Sequence, residues 1–189
     1  MKRSGSVSKI SRLIKSYSRF ISVPWHDDAA PPQRVIFCVY DEGDELPLRV
    51  QVEEFEIVTK AAGHHWTLFD LTNAFESWLT SEKYSKSYFQ KPDLLGNLLP
   101  RYLDYITCQF ENFLSEKDVS GNSVVALVGV GSLFGLLKAK DVVDRLAPKV
   151  PGRLVVFFPG TFENNNYRLL DGYDGWNYLA VPITADKEF

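Results

Sequence analysis

Carboxylates carry the most conspicuous chemistry in this 189-residue chain. Asp41, Glu42, Asp44 and Glu45 crowd the stretch "DEGDE" directly after the apolar run Arg34–Tyr40, and Asp70 closes a second such run, "HHWTLFD". Acidic groups that follow the strands of a parallel sheet are how phosphotransfer folds hold magnesium, a cation that takes oxygen ligands. Asp41, Glu42 and Asp70 are therefore candidate metal ligands, with Asp70 expected on the strand next to the one ending at Tyr40. Such a site also needs a lysine or hydroxyl after the later strands to grip the phosphoryl group. The chain offers Ser132 and Thr161 there, and no lysine. The alternative is a solvated acidic turn feeding a helix whose N-terminus favours carboxylates.

A second candidate is the turn "GVGSLFG", residues 129–135. A phosphate-binding P-loop requires G-x-x-x-x-G-K-[ST], yet Gly135 is followed by Leu136 and Leu137, and Phe134 stands where the dinucleotide fingerprint G-x-G-x-x-G has its third glycine. Gly129 and Gly131 permit positive φ and close backbone approach. Leu133 and Phe134 in the middle of the turn favour burial, so a tight corner between strand and helix competes with a weak anion site.

The remaining reactive residue types add little. His26 lies beside Asp27 and Asp28, and His64 and His65 point to opposite faces if they open a strand. No Ser/His/Asp or Cys/His set follows from spacing alone. Cys38 in "VIFCVY" and Cys108 in "YITCQF" have no Cys or His neighbour at metal-ligand spacing and read as small core hydrophobes of a reducing compartment. No complete motif calls for a cofactor.

Charge is distributed unevenly. Residues 1–34 hold seven Lys and Arg against two Asp, whereas the rest holds fourteen against twenty-two, within a net charge of -3. Val7, Ile10, Leu13, Ile14, Tyr17 and Ile21 recur at helical spacing, with Arg12, Lys15 and Arg19 mostly opposite. This basic arm fits a transit peptide, a membrane-surface helix, a contact to nucleic-acid phosphates or an acidic protein, or a first helix that packs its stripe on the domain and solvates its charges.

The elements that must position these residues follow from periodicity. "SVPWHDDAAPPQ", residues 22–33, is a Pro-containing linker, giving an N-terminal basic amphipathic helix plus linker (1–33) and one α/β domain (34–189). Strands are expected at Arg34–Tyr40, 64–70, Ser123–Gly129, 153–160 and 176–183. Helical stripes run over Leu48–Ala62, closed by Gly63, over Leu71–Leu79, over Leu94–Leu114 with Pro100 in a first turn or at a kink, and over Leu133–Ala147; the Tyr-rich stretch to Lys91 reads as a loop. Strands alternating with helices of this length imply right-handed crossovers and a doubly wound, mostly parallel sheet of about five strands with helices on both faces. No window approaches the ~18 apolar residues of a membrane helix, so no membrane role is expected.

The C-terminal stretch "RLVVFFPGTFENNNYRLLDGYDGWNYLAVPI" is the most distinctive. A buried strand ending in F-F-P-G, a short Asn-rich turn, an aromatic-leucine segment and a final W-N-Y-L-A strand, together with "GVGSLFGLL" upstream, resemble the BrxB family of bacteriophage exclusion (BREX) defence systems. In that family the glycine turn usually leads into a segment with proline and arginine, where this chain has Gly135–Lys138. The resemblance implies a small, cytoplasmic bacterial antiphage component without established catalytic residues, associated with the large alkaline-phosphatase-like protein PglZ. Read physically, Phe162, Tyr167, Tyr173, Trp176 and Tyr178 crowd one end of the sheet, where aromatics either anchor a protein partner or cap the sheet's own core. Phe162, Tyr167, Tyr173 and Trp176, with Arg12, Lys15 and Arg19 of the arm, are the candidate partner-binding residues of a non-enzymatic adaptor. A magnesium-dependent phosphate-handling enzyme and a nucleic-acid-binding module are the alternatives.

Overall fold

A computed structural model describes residues 8–25, 29–172 and 175–186, the side chain of Phe89 excepted. His26, Asp27, Asp28, Val7 and Tyr173 lie outside the described residues.

The sheet is built on three unbroken apolar runs. β1 (Val35–Tyr40) and β3 (Ser123–Val128) are buried at every position, as is the Leu154–Phe158 stretch of β4 (Arg153–Glu163). Strands of this composition need cover on both sides. β2 (His65–Asp70), by contrast, has only exposed and half-buried residues and forms one edge. The order is β2-β3-β4-β1-β7, with β7 (Val181–Ile183) as the other edge, and all four contacts are parallel. Pro182, which lacks an N–H, is tolerated because β7 pairs on one side only.

Period-2 alternation in β1 divides the interior into two cores. Val35, Phe37 and Val39 face α3 (Ala74–Ser81), α5 (Leu99–Glu116) and α6 (Ala139–Leu146), through Trp78, Ile106, Phe110 and Val142. Ile36, Cys38 and Tyr40 face α1 (Lys9–Ile21) and α2 (Glu45–Ala61). α1 is capped by Ser8, whose hydroxyl accepts from the Ser11 amide at 3.1 Å. Its stripe Ile10, Leu13, Tyr17 and Ile21 is at most 2% exposed, so the arm is a core helix with a charged back. The Thr59 hydroxyl donates to the Phe55 carbonyl (2.7 Å), which obliges the buried Tyr17 hydroxyl to donate to Thr59 (2.7 Å) and ties α1 to α2. Trp25 of the linker stacks on His64 with centroids 3.8 Å apart.

Several boundaries differ from the sequence expectation. The helix expected over Leu133–Ala147 begins only at Ala139; a 3-10 turn (Val130–Leu133) precedes it, and Gly135 at φ +73° turns the chain between the two. The expected loop before Lys91 contains a short helix, α4 (Ser85–Gln90). Pro100 sits in the first turn of α5, where its missing N–H costs nothing. β4 continues to Glu163 and folds back on β5 (Asn166–Leu169) through Asn164 and Asn165, both at positive φ, the twist a two-residue hairpin favours. The expected last strand is two pieces, β6 (Trp176–Asn177), antiparallel to β5, and β7. Cys38 is buried, and burial pushes its thiol well above the ordinary range. Cys108 is exposed rather than a core residue: Tyr102, Ile106 and Phe110 set the inner face of α5, and Cys108 lies two residues past Ile106 on the far side.

Candidate functional site: the carboxyl edge of the sheet

Ligands of open α/β sheets bind where connections from neighbouring strands leave in opposite directions. Here that place is between β1, which leaves through α2 on one face, and β4, which leaves through the β4–β5 hairpin; Tyr40 and Pro159 are register partners at its rim. A crevice of 280 Å³ opens there, lined by Asp41, Asp44, Thr161 and Thr184 and by Lys9 from α1. Lys9 forms an ion pair with Asp41, which holds its ammonium above the ordinary lysine range by hydrogen bond and charge, and Arg12 pairs with Asp186 at 2.8 Å. The first turn of α1 thus lies across the crevice and brings a cation to the acidic edge from 32 residues upstream.

Asp70 is elsewhere. β1 and β2 are not neighbours, contrary to expectation: β4 and β3 stand between them, which puts the strand ends about 14 Å apart. That span is too long for Asp41 and Asp70 to share a magnesium ion, which holds its oxygens at roughly 2.1 Å. Asp70 accepts from the Thr72 amide (2.8 Å) and hydroxyl and faces Arg49 at 3.7 Å. Arg49 also donates to Glu45 (2.7 Å) and to the Thr72 hydroxyl (2.7 Å), while the Tyr40 hydroxyl donates to the other Glu45 oxygen. Burial first, and then Glu45, push the Tyr40 phenol far up. Glu42 faces solvent on a short 3-10 turn. Among the described residues no three His, Cys, Asp or Glu side chains form a group that could hold a metal ion.

The glycine turn is a corner. Gly129 has φ +76°, and a Cβ on it would lie 2.6 Å from the Thr72 amide nitrogen and 2.9 Å from the nearer Asp70 oxygen, so the Asp70–Thr72 turn leaves room for glycine alone. The Ser132 and Phe134 amides donate to the Gly129 and Gly131 carbonyls, and those of Leu136 and Leu137 to Leu133. The Ser132 hydroxyl bonds the Gly129 and Leu71 carbonyls (2.7 and 3.1 Å). These donors are engaged inside the turn, and the amino end of α6 lies four residues past Gly135.

The aromatic group divides. Tyr167 is fully buried among Phe37 (4.6 Å), Trp176 (5.4 Å) and Phe158 (5.9 Å), and Tyr178 is nearly so, so Tyr167 is a core residue and not an exposed anchor. Phe162 and Trp176 are half-buried. Trp176 lines a groove of 610 Å³ with Phe134, Leu136, Leu137 and Leu169, edged by Lys138 and Asp171. This groove was missed by sequence reasoning, which buried Phe134 in a continuous helix; its side chain is 46% exposed. Of the arm's cations, Lys9 and Arg12 are engaged in pairs, and Lys15 and Arg19 point outward.

Five parallel strands with helices on both faces, and a carboxyl edge crossed by the Lys9–Asp41 ion pair, define a doubly wound α/β domain. The chain belongs to the BrxB family: the family model described as BREX protein BrxB matches residues 66–182, more than half of the chain, from β2 to β7. It is accordingly a component of a BREX phage-defence system. No curated protein and no solved structure matches the chain. No helix among the described residues is long and apolar enough to cross a membrane.

Proposed function

We propose that the chain is a non-enzymatic adaptor of its defence system, holding a larger protein of the alkaline-phosphatase-like PglZ type in the cytoplasm. The observation that carries this reading is the state of the carboxyl edge. Asp41 and Asp70 each face a cation of the same chain, about 14 Å apart by strand spacing, and the Ser132, Phe134, Leu136 and Leu137 amides donate within the glycine turn. Beside it opens a larger groove with an apolar floor, that of Phe134, Leu136, Leu137 and Trp176, with Phe162 on the neighbouring hairpin. Tyr173 belongs to the same stretch of chain. Half-exposed aromatics around an apolar floor are the anchors protein interfaces use.

The test is a plaque assay in a host carrying the whole system. Asp41→Ala and Asp70→Ala should keep protection, whereas Phe134→Glu with Tyr173→Ala should lose it at unchanged melting temperature. Loss of protection in a folded Asp41→Ala or Asp70→Ala variant would argue for chemistry at the acidic edge.

A further inference from the structure

α2 is apolar on both sides. Leu48, Val52, Phe55 and Thr59 face the sheet. At about 100° per residue, Leu46, Val50 and Ile57 fall within roughly 30° of the direction opposite that face. They are 75%, 83% and 53% exposed, the first two among the most exposed large apolar side chains described. The stripe spans about 16 Å, three turns of helix. A second apolar stripe on a helix whose first stripe already packs on the sheet is surface that a partner can cover.

The charges beside the stripe say what covers it. Arg49 is engaged with Glu45 and Asp70, and Lys60 with Glu56. Glu53 and Glu54 flank the stripe on either side, exposed and, among the described residues, in no ion pair. The uncompensated charge around Val50 is therefore negative. A second copy packed here about a two-fold axis would bring four carboxylates together at the middle of the contact, and an anionic membrane surface would be repelled.

We infer that the outer face of α2 docks an amphipathic helix of another protein, one whose apolar residues at i, i+3 or i+4, and i+7 are flanked by Lys or Arg. The stripe lies outside residues 66–182, so family membership does not carry it. Nor does the inference rest on the phosphatase-like partner, because any component with such a helix satisfies it.

The experiment places a benzophenone-bearing amino acid at position 50 or 57 of the full chain, co-expressed with the rest of the system, with Val23 as an exposed control elsewhere. After irradiation the joined peptides are sequenced. Positions 50 and 57 should capture one and the same segment of another protein, with helical apolar spacing and adjacent Lys or Arg. Leu46→Glu, or Glu53→Lys with Glu54→Lys, should lower the yield about tenfold or more without moving the melting temperature. Capture of a second copy, capture of an acidic segment, yields no higher than at Val23, or indifference to the charge reversal each overturns the inference. Co-purification of the phosphatase-like protein, lost on Phe134→Glu, is scored separately, so failure here and failure of the adaptor reading are distinguishable.

Discussion

Replacing Gly129 by alanine separates a structural corner from an anion cradle. An alanine held at φ +76° costs about 1–2 kcal/mol in the left-handed region. Its Cβ would also sit 2.6 Å from the Thr72 amide nitrogen and 2.9 Å from Asp70, within the contact where the Asp70 carboxylate accepts that amide. Giving way there sacrifices a hydrogen bond to a charged group, about 1.5–3 kcal/mol. Gly135 has nearly the same φ, +73°, and nothing within 4 Å of an added Cβ, so Gly135→Ala carries the backbone cost alone. Urea unfolding should therefore find Gly129→Ala destabilised by about 3–5 kcal/mol and Gly135→Ala by about 1–2 kcal/mol, which in melting temperature separates them by several degrees or more. Phosphate in the buffer should shift the wild type and the Gly129→Ala variant alike, as a general salt effect. Equal losses for the two variants, or a wild type that phosphate stabilises strongly and the Gly129→Ala variant that it does not, would refute the corner.

Further outcomes follow from the same contacts. Leu13→Ala, in the middle of α1, should cost about 2–5 kcal/mol by urea unfolding, because the helix is part of the core. Lys15→Glu with Arg19→Glu should leave stability alone, and if the arm contacts nucleic acid it should abolish a steeply salt-dependent binding in a gel-shift titration. Tyr17→Phe should cost about 1 kcal/mol through the lost hydrogen bond to Thr59. Burial raises the phenols of Tyr17, Tyr40, Tyr102, Tyr167 and Tyr178 above their ordinary 10.0. Their contribution is complete below pH 10 and is lost as pH rises beyond it, so absorbance at 295 nm should report these tyrosines ionising only together with unfolding.

The parallel core was legible because β1, β3 and the first half of β4 are runs of β-branched and aromatic residues too long and too dry for a half-solvated strand. The order of the strands was not. Nothing in "DEGDE" or "HHWTLFD" reports that β3 and β4 come between them, and the misplacement of Asp70 beside Asp41 followed from that. Lys9 meeting Asp41 across 32 residues is equally invisible to local spacing. Gly135 carried a readable signal, since a glycine in the left-handed region halts a helix, and it would have placed Phe134 outside. Tyr167 alternates with exposed neighbours in β5, a pattern short enough to read as a polar hairpin until Phe37 and Trp176 surround it.

Contact with another macromolecule is the work proposed for this domain. Purify the tagged full-length chain under mild salt from cells carrying the complete defence system, alongside Asp41→Ala, Asp70→Ala and Phe134→Glu variants, and quantify what accompanies each. A large phosphatase-like protein retained by the two aspartate variants and lost from Phe134→Glu is the expected result. A solitary chain carrying a nucleotide or divalent ion that disappears with Asp41 would contradict it.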